Sequence, residues 1–306
     1  FADVYGNSAP TGPVVTPVMR GALVYDPRVP TTAYSNNAAL VWAWITENRL
    51  GTGVVNWAEV EDEADVSDLF VTNRGGGTQR KWTLNGSFSD DQEYSTLIEQ
   101  IILATDGYVY EKPDGTVGFK VGGYTEPTIT LTDEDFYAVQ WSIGEQGQDP
   151  ATEYVAQYVE PGQDYREAAS ATYVVDADSR VNRQTVPLLL VNNHNQAMRC
   201  LKRIARASRA EYALTGTIGI IALELLDQRF VNVELAGRTF VAEIGSISAT
   251  DDDTQFEIEL NSVEPEDFDF NAALEEPAPP PREDVTNDNT VPAPTGFGGV
   301  AVDGPD

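Results

Sequence analysis

Catalysis and ligand binding need particular side chains brought close together, and this 306-residue sequence supplies few of them. His194 is the single histidine and Cys200 the single cysteine. Any Ser-His-Asp arrangement would have to use His194. That residue lies between asparagines at the start of a long helical pattern, which is the place of a capping or solvent-facing side chain. One histidine and one cysteine cannot make a zinc site without recruiting carboxylates. Cys200 reads as a buried structural thiol rather than a nucleophile, and one cysteine makes no internal disulfide. Paired carboxylates, as in a glycosidase, could be drawn from any of 49 acids, so their presence carries no information. Asp251-Asp252-Asp253 and Asp176-Ala177-Asp178 could hold calcium, but neither has the glycine or terminal glutamate of an EF-hand loop, and loop solvation is the simpler reading. Gly75-Gly76-Gly77 lacks the strand-turn-helix setting and the lysine of a phosphate loop. Trp42, Trp57, Trp82 and Trp141 are scattered through predicted elements, as core residues are, and form no sugar platform. No catalytic residue, cofactor or metal is assigned.

What the sequence does concentrate is positive charge. The stretch from Asn193 to Phe240 reads as one long amphipathic helix, placed at 193–213, followed by strands that pack on it. Ala197, Leu201, Ile204 and Ser208 recur at steps of three and four, with Met198 and Ala205 beside them, and make an apolar-to-small stripe. Arg199, Lys202, Arg203, Arg206 and Arg209 fill the opposite face; they are five of only 19 cations. So basic a helix in so acidic a chain needs a counter-charge, either from its own chain or from a neighbouring subunit.

The formal net charge of −30 repels phosphate backbones and anionic membranes, which excludes nucleic-acid binding by charge attraction. A halotolerant or marine source is a second reason for such a charge. Hydrophobic content of 41% is enough for a packed core. No apolar run reaches the ~18 residues of a membrane span; the longest, Ile218 to Leu226, is broken by Glu224. No basic segment precedes an apolar one, so no signal peptide is expected. The chain starts at Phe1 in mid-pattern and reads as a fragment of a longer polypeptide.

The elements that must position these residues read as follows. Residues 1–28 form an irregular arm and an edge strand, Gly21 to Tyr25, of a first barrel domain. Residues 29–126 form an α+β domain. In it, Ser35-Asn36-Asn37 caps a helix that is apolar all round from Ala38 to Ile45 and ends at Gly51 and Gly53. A second helix, Trp57 to Phe70, carries the acids Glu59, Glu61, Asp62, Glu63, Asp65 and Asp68 on a face read as solvated. A strand from Trp82 to Phe88 follows. Asp90 or Asp91 then caps a helix striped by Tyr94, Leu97, Ile98, Ile101 and Ile102, and Asp106-Gly107 stops it. A hairpin closes the domain, Tyr108 to Tyr110 and Thr116 to Val121, turned at Lys112-Pro113-Asp114-Gly115. Residues 127–270 form a β-barrel or sandwich carrying the long helix. Its strands are Ile129–Leu131, Ala138–Ile143, Glu153–Val159, Ala171–Val175, Gly216–Leu223, Phe230–Leu235, Thr239–Ser246 and Gln255–Leu260. Residues 271–290 are a Pro-rich acidic linker, and 291–306 the start of a further β domain. The fold class is α+β, multidomain.

Several stretches resemble the central tail-tip (tip attachment or baseplate hub) proteins of long-tailed bacteriophages. Tyr25-Asp26-Pro27-Arg28 followed by Ser35-Asn36-Asn37-Ala38-Ala39-Leu40 is similar to that family's YDPR and N-P-A-L pattern, with Ala38 in place of proline. Arg49-Leu50-Gly51-Thr52-Gly53 resembles its turn after that helix, and Lys81-Trp82-Thr83-Leu84-Asn85-Gly86 its strand ending in Asn-Gly. Gln196-Ala197, the basic helix and the strands through Val233 resemble its A-x-R-x-A segment; Asp227-Gln228-Arg229 stands where the family often has Pro-Gly-Asp. The last strand resembles the start of the fibronectin type III domains that often follow the hub. The resemblance covers roughly residues 20–300 and implies a non-enzymatic virion protein of tube-type β-barrel domains with an inserted α+β domain. A homotrimer would close the tail tube and leave a conduit through which DNA passes without specific binding during ejection. Its neighbours would be the distal tail protein, tail tube and tape-measure protein; its C-terminal extension would carry host attachment, with no membrane anchor. Arg199, Lys202, Arg203, Arg206 and Arg209 would then be subunit-interface residues. The alternatives are a tail-associated cell-wall hydrolase or peptidase, which would clear wall material on a zymogram, and a β-domain adhesin, which would bind glycan as a monomer.

Overall fold

A computed structural model describes residues 21–112, 114–144, 150–163, 165–250 and 254–281. The arm at 1–18, Pro113 of the hairpin turn, Asp251–Asp253, residues 282–290 of the linker and the 291–306 strand lie outside the described residues. The chain opens with a hairpin of β1 (Leu23–Asp26) and β2 (Thr31–Tyr34). Helix α1 (Ala38–Leu50) starts where the Asn37 side chain accepts the N–H groups of Ala39 and Leu40. It stops at Gly51 and Gly53, whose φ values of 112° and 86° suit only glycine. As its composition predicts, the helix is buried on most sides: Ala38, Ala39, Leu40, Trp42 and Ala43 have almost no exposed surface. Helix α2 (Trp57–Asp68) is capped by Asn56. Its acidic face is only partly solvated: Glu59 meets Lys112, Asp65 and Asp68 meet Arg28, and Glu63 accepts the Val121 N–H.

A short hairpin, β3 (Phe70–Thr72) and β4 (Thr78–Arg80), turns through the three glycines. The Trp82–Phe88 strand is corrected. This segment is extended but joins no sheet, because its partners are single groups: Leu84 N–H goes to Asn36 O and Asn85 N–H to Leu190 O. Helix α3 (Tyr94–Thr105) begins at Glu93 without a side-chain cap, not at Asp90 or Asp91, and ends at Asp106 in the left-handed region. Hairpin β5 (Tyr108–Glu111) and β6 (Val117–Lys120) follows as expected.

The next strands are β7 (Thr130–Thr132), β8 (Phe136–Ile143), β9 (Glu153–Glu160), β10 (Arg166–Ala169), β11 (Tyr173–Val174) and β12 (Arg183–Leu188). Strands β10 and β12, polar at their exposed positions, carry too little apolar alternation to be foreseen. Helix α4 (His194–Ala207) ends six residues earlier than expected, because Tyr212 already pairs with Ile143 across a sheet. Then come β13 (Tyr212–Ile218), β14 (Phe230–Leu235), β15 (Arg238–Ala249), β16 (Phe256–Ser262) and the short helix α5 (Ala272–Glu275). The end of the strand expected at Gly216–Leu223 is instead a 3-10 turn, Ile220–Glu224.

Two sheets matter most. In the first, β10 and β11 pair antiparallel with β9, and β12 runs parallel to it. The second has six strands in the order β7-β14-β15-β16-β13-β8. Its two end strands are neighbours in sequence, joined by the turn that Asp135 ties to Thr132. Laid flat, six strands would set those edges roughly 24 Å apart, whereas the link from Thr132 to Phe136 spans at most about 14 Å. The sheet must therefore curl, and it does so as a half-barrel.

The cores divide differently from the expected domains. One contains α1 to α3 together with α4 and the β9–β12 sheet, through Leu40, Trp42, Leu97, Ile101, Tyr154, Tyr158, Met198 and Leu201. The other is the inside of the curled sheet, with Leu131, Ile218, Val231, Val233, Ile258 and Leu260. Helix α4 thus belongs with the helical core, not the barrel: its apolar stripe faces Tyr154, Ala156 and Tyr158 of β9. The linker reading of 271–276 is also corrected. Ala272 and Glu276 are buried there, because this acidic segment lies against the basic helix.

Candidate functional site

Helix α4 is built to be tied down. The Asn193 side chain caps it at the Gln196 N–H. Gln196 is fully buried and acts as a clasp: its amide donates to Thr83 O at 2.9 Å and Ala104 O at 2.7 Å, and its oxygen accepts the Thr83 hydroxyl. One side chain so joins α4 to the extended segment and to the end of α3. His194 is mostly buried, its side chain 10% exposed, in keeping with a position at the helix start but not with a solvent-facing one. Its Nε2 accepts the Ala171 N–H at 3.0 Å, which leaves the proton on Nδ1 facing Glu276 Oε1 at 3.2 Å. Burial holds this imidazole below its ordinary pKa, against the pull of Glu276. Cys200 is buried as expected, its thiol pushed up to about 12 by burial, too high for a nucleophile.

The five cations find their counter-charge mainly within the chain. Arg199 lies 4.2 Å over the Trp82 ring and donates to Asn195 Oδ1 and Lys81 O. Burial lowers it to about 10, still charged at neutral pH. Lys202 bonds Glu275 at 2.7 Å and Asp269 O at 2.6 Å. Arg203 meets Glu243 at 2.7 Å and Asp106 at 3.2 Å, with its guanidinium 3.7 Å over Phe268. Arg206, its side chain 51% exposed, reaches Asp267 at 3.4 Å. Arg209 donates to Ala151 O at 3.2 Å. Three acids, Asp267, Glu275 and Glu276, come from the segment that straps over α4 after β16; Glu276 also accepts the Arg74 and Asn195 N–H groups, both at 2.7 Å.

Sequence reasoning missed the residue that completes this cluster. Arg229 is 5% exposed and sits against Asp106 at 2.9 Å and Glu243 at 2.7 Å. Arg203, Arg229, Asp106 and Glu243 form a neutral square of two cations and two carboxylates. Asp106 and Arg203 belong to the helical core and Arg229 and Glu243 to the curled sheet, so the square locks the two cores together. Burial pushes the Asp106 carboxyl up, while Arg229 and Arg203 pull it down. The sequence shows Arg229 only as one more polar residue of the turn Asp227-Gln228-Arg229.

Among the described residues no group of histidine, cysteine and carboxylates could hold a metal ion, and no helix is long and apolar enough to cross a membrane. Asp176 caps its own turn at Asp178 and Ser179. The geometry is that of a mechanical junction, a β-rich structural scaffold whose charges are spent on holding two cores in fixed relation. The family follows from the sequence profile described as "Putative phage tail protein", which matches residues 93–247, from α3 into β15 and half of the chain. The chain belongs to that phage tail family and is a component of the phage tail. No curated protein matches it. Among solved structures it is similar to a chain of the virion of a native gene transfer agent particle, with a TM-score of 0.53 and 18% identity. That match covers 80% of this chain and 49% of the other, so the chain spans about half the length of that relative. The tail protein from Neisseria meningitidis MC58 is also similar, with a TM-score of 0.40, 16% identity and coverage of 61% and 58%.

Proposed function

We propose that the chain is a non-enzymatic hub of the tail tip, three copies of which close the tail tube around a conduit for DNA ejection. The free edge of the curled sheet carries this reading. Strand β8 is eight residues long and pairs on one side with β13. Its inner side chains Phe136, Val139 and Trp141 pack on the sheet's core, but Ile143 on the same face stays 58% exposed, and Tyr137, set off the alternation by a bulge opposite Thr217 and Ile218, stays 68% exposed. A long edge with an unfinished apolar face is a template for a further strand. Supplied by a neighbouring copy, that strand would carry the curl into the next subunit and build a ring of barrels. The net charge of −30 suits such a ring, since an acidic bore repels the phosphates of DNA passing through it.

In this reading the distal tail protein, tail tube and tape-measure protein are the neighbours, the C-terminal extension points to a host receptor, and no cofactor is used. Arg206 and Arg209 remain the candidates for contact with a neighbouring subunit; Arg199, Lys202 and Arg203 support that surface from inside. Light scattering of the purified chain tests the proposal: a mass of three copies at micromolar concentration is expected, and a monomer at all concentrations refutes it.

A further inference from the structure

Between α4 and the extended segment that begins at Lys81 lies a cavity of about 30 Å³, with Lys81, Trp82, Arg199, Lys202, Arg203 and Phe268 in its wall. Positive charge gathers there and is not fully matched. Arg203 has Glu243 and Asp106, the latter itself in the cavity wall, and Lys202 has Glu275. Asp267, also in the wall, is engaged by Arg206, and Asp269 is turned to solvent. Arg199 is 6% exposed, and its hydrogen bonds go to a carbonyl and an amide oxygen, not to a carboxylate. The Nη1 atoms of Arg199 and Arg203 are both buried with no partner among the described residues. Lys81 faces the same space; burial, and then the charge of Arg199, hold its ammonium below the ordinary value. Two cations that repel each other across a small, partly aromatic cavity call for a negative occupant.

We propose that this cavity binds one halide-sized inorganic anion, held between the Arg199 guanidinium and the Lys81 ammonium with the Arg203 Nη1 group as a further donor. Size sets the class: the space admits an occupant of about the size of a water molecule, which a halide matches and a phosphate or nucleotide exceeds. The apolar part of the wall, Trp82 and Phe268, favours a weakly hydrated ion over a strongly hydrated one, because the ion must shed water to enter. Bound there, the anion would neutralise the wall beside the four-residue charge square and stiffen the junction between the cores. The inference is independent of the tail-tip reading.

The test uses the full 306-residue chain. Thermal unfolding is followed in sodium chloride and in sodium gluconate at equal ionic strength, gluconate being too large to enter. A saturable rise in Tm with chloride over gluconate is expected, together with one anomalous peak in the cavity of bromide-soaked crystals. Lys81→Met removes one charge from a half-buried side chain and should raise the half-saturating chloride concentration about tenfold or more. Equal Tm curves in the two salts, bromide on the surface only, water only in the cavity, or an unchanged half-saturation in Lys81→Met would each overturn the proposal. Arg199→Lys is a second variant, and Lys81→Met decides the matter where Arg199→Lys fails to fold.

Discussion

At the scale of single residues the structure sorts the basic helix by burial. Arg229 and Arg203 share Asp106 and Glu243 in a setting with almost no solvent. Removing one member of a buried charge pair leaves its partner unmatched, at about 3–5 kcal/mol. Arg229→Met should therefore lose on the order of 3–5 kcal/mol in urea unfolding, whereas Arg206→Met, half exposed against Asp267, should lose less than about 1 kcal/mol. Equal losses would mean that the square is not the lock described. His194 gives a pH signature. Its folded pKa lies below the ordinary 6.5 through burial, and Nε2 already accepts the Ala171 N–H, so protonation would set two donors face to face. The unfolded chain then binds the proton more readily, and stability present above pH 6.5 falls as the pH drops below it. His194→Gln should flatten the fall in unfolding midpoint between neutral and mildly acid buffer; an unaltered slope would assign that fall to the carboxylates.

At the scale of elements, the helices were legible and the pairings between them were not. The Asn37 cap, the glycine stop after α1, the stripe of α3 and the hairpin of β5 and β6 are local signals, and the structure has all four. Trp82–Phe88 looks like a strand because its apolar residues alternate, yet Trp82 and Leu84 are buried in the helical core without joining a sheet. The candidate site was half legible. The charges on α4 were plain at helical spacing, but their partners lie 40 to 97 residues away for Arg203, at Glu243 and Asp106, and no local pattern announces such a pair. The acidic strap misled for the opposite reason: Pro-rich, acidic sequence reads as linker until its counter-charge is known. A tight element contact gives a further prediction. A Cβ on Gly122 would stand 2.7 Å from both the Thr105 carbonyl oxygen and the Trp82 ring, and Gly122 O accepts the Trp82 Nε1–H at 2.8 Å. Gly122→Ala should cost about 1–3 kcal/mol by overpacking, read as a lower unfolding midpoint with an unchanged slope; no change would show that the segment yields freely.

At the scale of the whole molecule, the two cores and the open sheet edge have different tasks, and a substitution can separate them. The charge square fixes the helical core against the curled sheet and the Gln196 clasp ties α4 into the helical core, all inside one chain, so they set stability. Strand β8 lies at one edge of that sheet, with Ile143 of its inner face and Tyr137 at its bulge exposed to solvent. Replacing exposed side chains away from such internal ties usually changes stability by no more than about 0.5 kcal/mol. Two carboxylates at that edge would oppose strand addition, because a charge on an edge strand must be desolvated by any incoming strand. Tyr137→Glu with Ile143→Glu should thus leave the unfolding midpoint of the isolated chain nearly unchanged and reduce the proposed trimer to a monomer in light scattering. Arg229→Met should do the reverse, lowering stability while any surviving folded chain still associates. If the double variant instead unfolds the chain, β8 is part of the internal core, and if it stays trimeric, the subunits meet through another surface.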